Sequence, residues 1–241
     1  MNFENYPKIR PELAAEFQQI YIEHYKNNRE GESVGTSLSQ KMESWMHKKV
    51  AKDVKNVQKS TLEIGAGTLN QLKYENTEPY DIVEPFAELY INSPRKKHIR
   101  HIYNDIDEID LSVKYDRITS IATFEHILDL PKVIAKTALL LNEGGVLRVA
   151  IPNEGTILWK LGWKFTTGIE FKLKYRLDYE ILMKYEHVNT ADEIEEVLNC
   201  FFKKNTCSCF GLGKKIAFYR FYECFEPDIE LANKYLLKET Y

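Results

Sequence analysis

The chain has 241 residues, enough for one large domain or one domain with a cap, and enough to bury a sizeable core. Its 33 basic and 36 acidic residues give a formal net charge of −3, a balance that argues against clamping duplex DNA by phosphate neutralisation, so no nucleic-acid partner is expected. No apolar run reaches the length of a membrane span and no signal peptide opens the sequence, so a cytoplasmic protein is expected.

Residues 11–28 read as a helix with Pro11 in its first turn and Leu13, Phe17, Ile20, Tyr21 and His24 at helical spacing. After a polar loop, residues 38–58 read as a second helix whose stripe of Leu38, Met42, Trp45, Met46 and Val50 suits core packing. Residues 1–58 are therefore expected to form an N-terminal helical lid or side wall, with Tyr21, Tyr25, Arg29 and His47 as candidate contacts to a bound molecule.

Strand and helix patterns then alternate. Residues 60–64 are a first strand running into Gly65-Ala66-Gly67. Residues 79–83 are a second, ending at Glu84, with a helix expected from Pro85. The basic run 95–98 reads as a solvated approach to a third strand, 101–103, which ends at Asn104-Asp105. Residues 115–122 are a fourth strand, 131–142 a helix expected to stop at Gly144-Gly145, and 146–151 a fifth strand. Short connections between such units imply an α/β fold with a parallel sheet and helices on both faces.

Residues 154–188 interrupt the rhythm. Trp159, Trp163, Phe165, Phe171, Tyr175, Tyr179 and Tyr185 alternate there with basic residues, and linkers are poor in aromatics, so an inserted substrate cap is expected. Thr190 and Glu193 form a capping box at the start of a helix reaching about residue 201. Residues 204–212 and 216–225 read as a terminal hairpin, and 229–241 as a C-terminal helix. The main domain would then comprise 59–153 and 189–228. Cys200, Cys207, Cys209 and Cys224 lack a zinc-site spacing and are read as reduced, packed thiols.

Acids follow the strand ends in register with the glycine loop: Glu63 just before Gly65, Glu84 after the second strand, Asp105 after the third. An acid at the second strand's tip can accept both hydroxyls of a ribose. A dinucleotide site wants a third glycine at the position of Asn70, and no basic residue lies between Gly65 and Gln71. The loop therefore suits a nucleoside cofactor with an amino-acid tail better than one with a close phosphate. The tail's carboxylate can meet backbone N–H groups, with Glu63 near its ammonium.

The succession LEIGAG, VEP, NDID, SIATFEHI and LLNEGGVLRVAIPNEG resembles the class I S-adenosylmethionine-dependent methyltransferases, closest to a small-molecule branch with an E-H pair after the fourth strand, over about residues 60–225. The resemblance implies a Rossmann-like, seven-stranded, mostly parallel sheet with an antiparallel terminal strand, N-terminal helical lid and inserted cap. It implies S-adenosylmethionine as cofactor. Glu63, Gly65, Ala66 and Gly67 would line its methionine end. Glu84, followed by Pro85, would take the ribose diol. Asp105 and Ile106 would flank the adenine. Ala122, Thr123 and Phe124 would form the floor between cofactor and acceptor.

His126 and His187 are the candidate catalytic residues, able to accept a proton from a hydroxyl or amine near neutral pH. The plainer alternative for His126 is a helix-start residue bonded to Glu125 or to backbone. Relatives with an E-x-x-E-H pattern hold a metal ion, but Ala122 stands where the first acid would be, so no metal is expected. Ala122-Thr123-Phe124-Glu125 also departs from the [N/D]-P-P-[Y/F] motif of enzymes acting on amino groups in nucleic acids. The expected reaction is O-methylation of a small polar acceptor. The insertion ending in YEHVN resembles those of methyltransferases of sugar and surface-polysaccharide pathways. N-methylation of a small amine, a non-catalytic S-adenosylmethionine-binding protein and a nicotinamide-dependent oxidoreductase are the alternatives, the last disfavoured by Asn70 and the terminal hairpin. A homodimer is left open.

Overall fold

A computed structural model describes residues 3–14, 16–18, 20, 37–165 and 167–238. The lid candidates Tyr21, Tyr25 and Arg29, and most of the helix expected over 11–28, lie outside the described residues.

The first described long helix is α1 (Ser37–Val50). Seven strands follow in chain order: β1 (Thr61–Ile64), β2 (Tyr80–Val83), β3 (Ile102–Tyr103), β4 (Tyr115–Ile121), β5 (Leu141–Pro152), β6 (Phe202–Gly211) and β7 (Ala217–Pro227). They form one sheet in the order β3-β2-β1-β4-β5-β7-β6. β1 to β5 pair in parallel, while β7 runs antiparallel to both β5 and β6. This is the Rossmann-like mixed sheet expected from the sequence.

Side chains alternate across each strand, so the sheet has two chemically distinct faces. Leu62, Ile64, Val83, Ile118, Leu147 and Val149 point into the main core. There they meet α2 (Leu130–Leu140), α6 (Ala191–Phe201) and α7 (Ile229–Lys238). The Thr190–Glu193 capping box opens α6 as expected. On the other face α1 lies as a side wall, packing Met46 and Val50 on Ile121, Ala150 and Phe221. The same face carries Glu63, Arg117 and Arg148, all buried. The Arg117 guanidinium pairs with both oxygens of Glu75 at 2.7 and 2.8 Å and donates to the Val50 carbonyl at 2.9 Å. Arg148 donates to the carbonyls of Val50 and Lys49 at 2.9 and 2.7 Å. Two arginines from adjacent strands thus bind carbonyls at the end of α1, where the chain passes into a 3-10 turn, Ala51–Val54.

Three expectations need correction. The helix expected from Pro85 is only a single 3-10 turn, Ala87–Leu89, because Glu84 accepts the Phe86 N–H and turns the chain. Gly144-Gly145 do not terminate α2. The helix ends at Leu140, and Leu141 already pairs with Tyr115, so the glycines sit inside β5 beside its register shift. His47 is not a lid contact: its buried ring bonds Gln71 Oε1 at 2.8 Å and stacks on Tyr74 at 5.0 Å.

The segment 154–188, expected as a cap and called so below, folds as three short helices, α3 (Ile157–Phe165), α4 (Thr167–Tyr175) and α5 (Tyr179–Glu186). No described helix is long and apolar enough to cross a membrane. Arg117→Ala, which strands the fully buried Glu75 carboxylate, should cost about 3–5 kcal/mol of stability. Urea unfolding of the variant against wild type reads this directly, and a loss within about 0.5 kcal/mol, the size typical of surface changes, would contradict it.

Candidate active site

β1 leaves the sheet through Gly65 (φ +74°) and Gly67 (φ +51°), both in the left-handed region that favours glycine. A Cβ on Gly65 would come within 2.3 Å of the Thr123 side chain, so the β1 and β4 exits touch only because the residue is glycine. In front of Gly67 the space is open. Glu84, at the tip of β2, is buried and anchored. Its Oε2 accepts the Gly67 N–H at 2.8 Å and its Oε1 the Phe86 N–H at 3.1 Å. Pro85 is exposed beside it.

Glu63 is buried under the loop and accepts the Tyr80 hydroxyl at 2.8 Å. Burial pushes its carboxyl up to about 8, against the Tyr80 hydrogen bond and with help from Glu75. Ala66 is buried against Leu69 and Tyr80. Asp105 is exposed at the β3 end, where its carboxylate caps the 3-10 turn Ile106–Glu108, and Ile106 itself packs in the main core. The sheet order therefore sets the tips of β3, β2, β1 and β4 side by side, and every expected cofactor residue lies at or next to one of them.

At the β4 exit, Ala122 is exposed with φ +49°, a sparsely populated conformation for a residue with a side chain. Its N–H is held by the Ala150 carbonyl at 2.8 Å. The Phe124 ring is fully buried in the main core, so it supports the β4 exit from beneath rather than lining an open floor. The chain then makes the 3-10 turn Phe124–His126.

That turn is fastened to the end of the cap. Asn189, fully buried, donates to the carbonyls of Phe124 and Ile127 at 2.8 and 2.7 Å and accepts the Tyr6 hydroxyl at 3.0 Å. The Glu125 carbonyl accepts the N–H groups of Val188 and Asn189 at 2.8 and 3.1 Å. Arg10 bridges the same junction, donating to the carbonyls of Tyr185 and His126 at 2.7 and 3.0 Å. These contacts bring the His126 and His187 rings edge to face, with centroids 4.8 Å apart.

Each ring is oriented through Nδ1. That of His126 lies 2.9 Å from the Glu186 carbonyl, and that of His187 lies 2.7 Å from Glu154 Oε2. The same Glu154 oxygen accepts the Trp159 indole N–H at 2.6 Å. Glu125 is almost completely buried, and its Oε2 has no hydrogen-bond partner among the described residues. Burial pushes its carboxyl up to about 7, against the pull of His187. Burial alone would lower the His187 value, but Glu154, Glu125 and Glu186 outweigh it and the net shift is upward.

The two candidate histidines are thus brought together. His126 does bond backbone, as the plainer alternative supposed, but across 60 residues of sequence rather than locally. The sequence reading assigned no role to Glu154, Glu186, Asn189, Tyr6 or Arg10. Glu154 and Glu186 lie within the IPNEG and YEHVN stretches, which mark the two ends of the insertion. Asn189 closes the same YEHVN stretch. No local pattern announces Tyr6 or Arg10, because their partners are far away in sequence.

A family model described as a methyltransferase domain matches residues 37–199. A sequence search of curated proteins gives no match. Among solved structures, the fold is similar to the plantazolicin methyltransferase BpumL, in complex with a monoazolic desmethylPZN analog and SAH. That match has a TM-score of 0.59 at 14% identity, over 87% of this chain and 92% of the other. It is also similar to the N-methyltransferase NodS of Bradyrhizobium japonicum in complex with S-adenosyl-L-homocysteine, with a TM-score of 0.53 at 12% identity, over 81% of this chain and 90% of the other. The CurJ carbon methyltransferase matches with a TM-score of 0.51 at 18% identity, over 77% of this chain and 55% of the other. At such identities the likeness is one of fold.

Glu63 provides a pH test of the site. Its folded value of about 8 lies above the ordinary 4.5, so the folded chain binds more protons than the unfolded chain between those values. Its contribution to stability is therefore fully present below about pH 4.5 and lost as pH rises through about 8. Glu63→Gln keeps an acceptor for Tyr80 without the ionisation. The variant should gain on wild type between about pH 5 and about pH 8 in urea unfolding, and parallel declines would contradict this burial.

Proposed function

The chain belongs to the methyltransferase-domain family, and on that premise we propose that it transfers the methyl group of S-adenosylmethionine to a small polar acceptor held between the β4 exit and the cap. The observation that carries this reading is the meeting of two sets of groups at the Gly65–Thr123 contact. On one side are the strand-end acids and the glycine loop. On the other are Glu125, His126 and His187.

On the donor side, Glu84 is held in place by two backbone N–H groups and is the acceptor for the ribose hydroxyls. The open space before Gly67 takes the methionine tail, with Glu63 beneath it, Gly65 and Ala66 in the loop, and Thr123 toward the acceptor. Asp105 and Ile106 belong to the adenine end, and Pro85 to the ribose side. The sulfonium is already an activated donor, so the reaction needs nucleophile, methyl carbon and sulfur in line. Orientation of that kind lowers a barrier by about 7–11 kcal/mol. Removing the acceptor's proton contributes about 10²–10⁴-fold. His126 and His187 are the groups that activate the acceptor.

For the acceptor, a hydroxyl of a sugar or surface-polysaccharide precursor is the first reading, resting on the resemblance of the 154–188 insertion, and a cytoplasmic reaction goes with it. Methylation of a small amine is the second. It is favoured by the ring of carboxylates from Glu125, Glu154 and Glu186 around the two imidazoles, which suits an ammonium. A purely cofactor-binding protein would leave that cluster without a use.

Calorimetry with S-adenosylhomocysteine tests the donor side. Glu84→Ala should weaken binding at least about tenfold, since each hydrogen bond to a charged group is worth roughly 1.5–3 kcal/mol. Transfer of radiolabelled methyl to panels of sugars and small amines tests the acceptor side. His187→Ala should lower turnover by about 10²-fold or more while leaving S-adenosylhomocysteine affinity within about twofold. A wild-type chain that fails to bind S-adenosylhomocysteine would overturn the proposal.

A further inference from the structure

Glu125, His126 and His187 each offer one ligand atom, and these atoms lie within 4.8 Å of one another. Both imidazoles have Nδ1 turned to an oxygen acceptor, the Glu186 carbonyl and the Glu154 carboxylate. Metal-binding histidines are generally held this way, the second nitrogen fixing the tautomer and the ring plane. His126 Nε2 stands 3.7 Å from Glu125 Oε1. Two ligands of a tetrahedral ion with bonds of about 2.1 Å are roughly 3.4 Å apart, so this pair is near ligand spacing, and the widest pair of the three, within 4.8 Å, closes by up to about 1.4 Å on binding. The second, independent observation is Glu125 Oε2. A buried carboxylate oxygen without a hydrogen-bond donor is costly, and a cation at this point would answer it.

From this geometry we infer that Glu125, His126 and His187 bind a divalent transition-metal ion of the zinc class. Two imidazoles and one carboxylate suit zinc, cobalt, manganese or ferrous iron. They suit magnesium and calcium poorly, because those ions want oxygen ligands throughout. Three protein ligands leave a coordination position open. Ala122, which argued against a metal in the sequence, does not remove the site. The third ligand comes from the end of the cap instead of from β4.

The role in turnover rests on the methyltransferase reading above, whereas the binding of the ion does not. An acceptor hydroxyl that takes the open position becomes more acidic and gives its proton to water. The resulting alkoxide oxygen forms the new bond to the methyl carbon. The carbon–sulfur bond breaks with its electron pair staying on sulfur, which leaves neutral S-adenosylhomocysteine. His126 and His187 then act on the acceptor through the ion, and Glu154 and Glu186 hold the rings.

The test uses the full chain, freed of metal with a chelator and titrated with Zn²⁺ by calorimetry and with Co²⁺ by visible absorption. Wild type should take up one ion per chain, with the intense visible bands of a low-symmetry Co²⁺ site. Glu125→Gln and His187→Ala should weaken uptake at least about tenfold. Glu125→Gln leaves the backbone carbonyl that holds the turn, and circular dichroism checks that each variant is folded. His98→Ala, at an exposed position away from the cluster, should change nothing. S-adenosylhomocysteine binding is measured separately on every protein. Uptake that is absent in wild type, or equal in wild type and His187→Ala, overturns the metal inference. If S-adenosylhomocysteine still binds in that case, the methyltransferase reading survives. Metal uptake without S-adenosylhomocysteine binding would sink that reading and leave the metal site standing.

Discussion

The turn after β4 depends on carbonyl partners that its own segment largely does not supply: within it, Phe124 receives only a long 3.4 Å bond from the Ile127 N–H. The carbonyls of Phe124, Glu125 and Ile127 are answered by the Asn189 amide and by the N–H groups of Val188 and Asn189. A buried polar group left unpaired costs about 1–3 kcal/mol, so the turn and the end of the cap are stable together and poor apart. The N-terminal segment closes the same junction. Tyr6, Lys8 and Arg10 reach Asn189, Val188 and the Tyr185–His126 carbonyls, and Phe3 stacks on Phe201 in the main core. One buried asparagine thereby helps to hold two distant histidines side by side.

The sheet beneath divides its labour by face. One face is apolar and gives the fold its core with α2, α6 and α7. The other carries Arg117, Arg148, Glu75 and Asp53, which tie α1 to β4 and β5. Buried ion networks of this kind contribute little net stability over well-packed apolar groups, but losing one member is severe. Glu63 sits on that charged face directly below the glycine loop, where burial keeps its proton on. The loop is consequently supported by a layer with few alternative packings.

The sheet was legible because its signals are local. Short apolar runs mark the strands, the first three ended by a glycine or an acid (Gly65, Glu84 and Asn104-Asp105), and the Thr190–Glu193 capping box marks α6. The cofactor side was legible for the same reason: each of its residues lies at a strand end, and the parallel order sets those ends in a row. The errors came where long-range pairing overrode local preference. Gly144-Gly145 look like a helix stop, yet Leu141 is already drawn into β5 by Tyr115. His47 looks like a surface residue of a lid, yet Gln71 and Tyr74 bury it. The approach of His187 to His126 was not legible either, because it arrives from the far end of the insertion through contacts that no spacing rule encodes.

On the proposed reading, donor and acceptor meet over Thr123, between the glycine loop and the Glu125–His126–His187 cluster. A crystal structure of the protein with S-adenosylhomocysteine measures this most directly. The ribose hydroxyls should lie on Glu84 and the sulfur should face the cluster across Thr123, with open space for an acceptor between them. A sulfur directed away from the two imidazoles, or a cluster sealed from the cofactor by packed side chains, would contradict it.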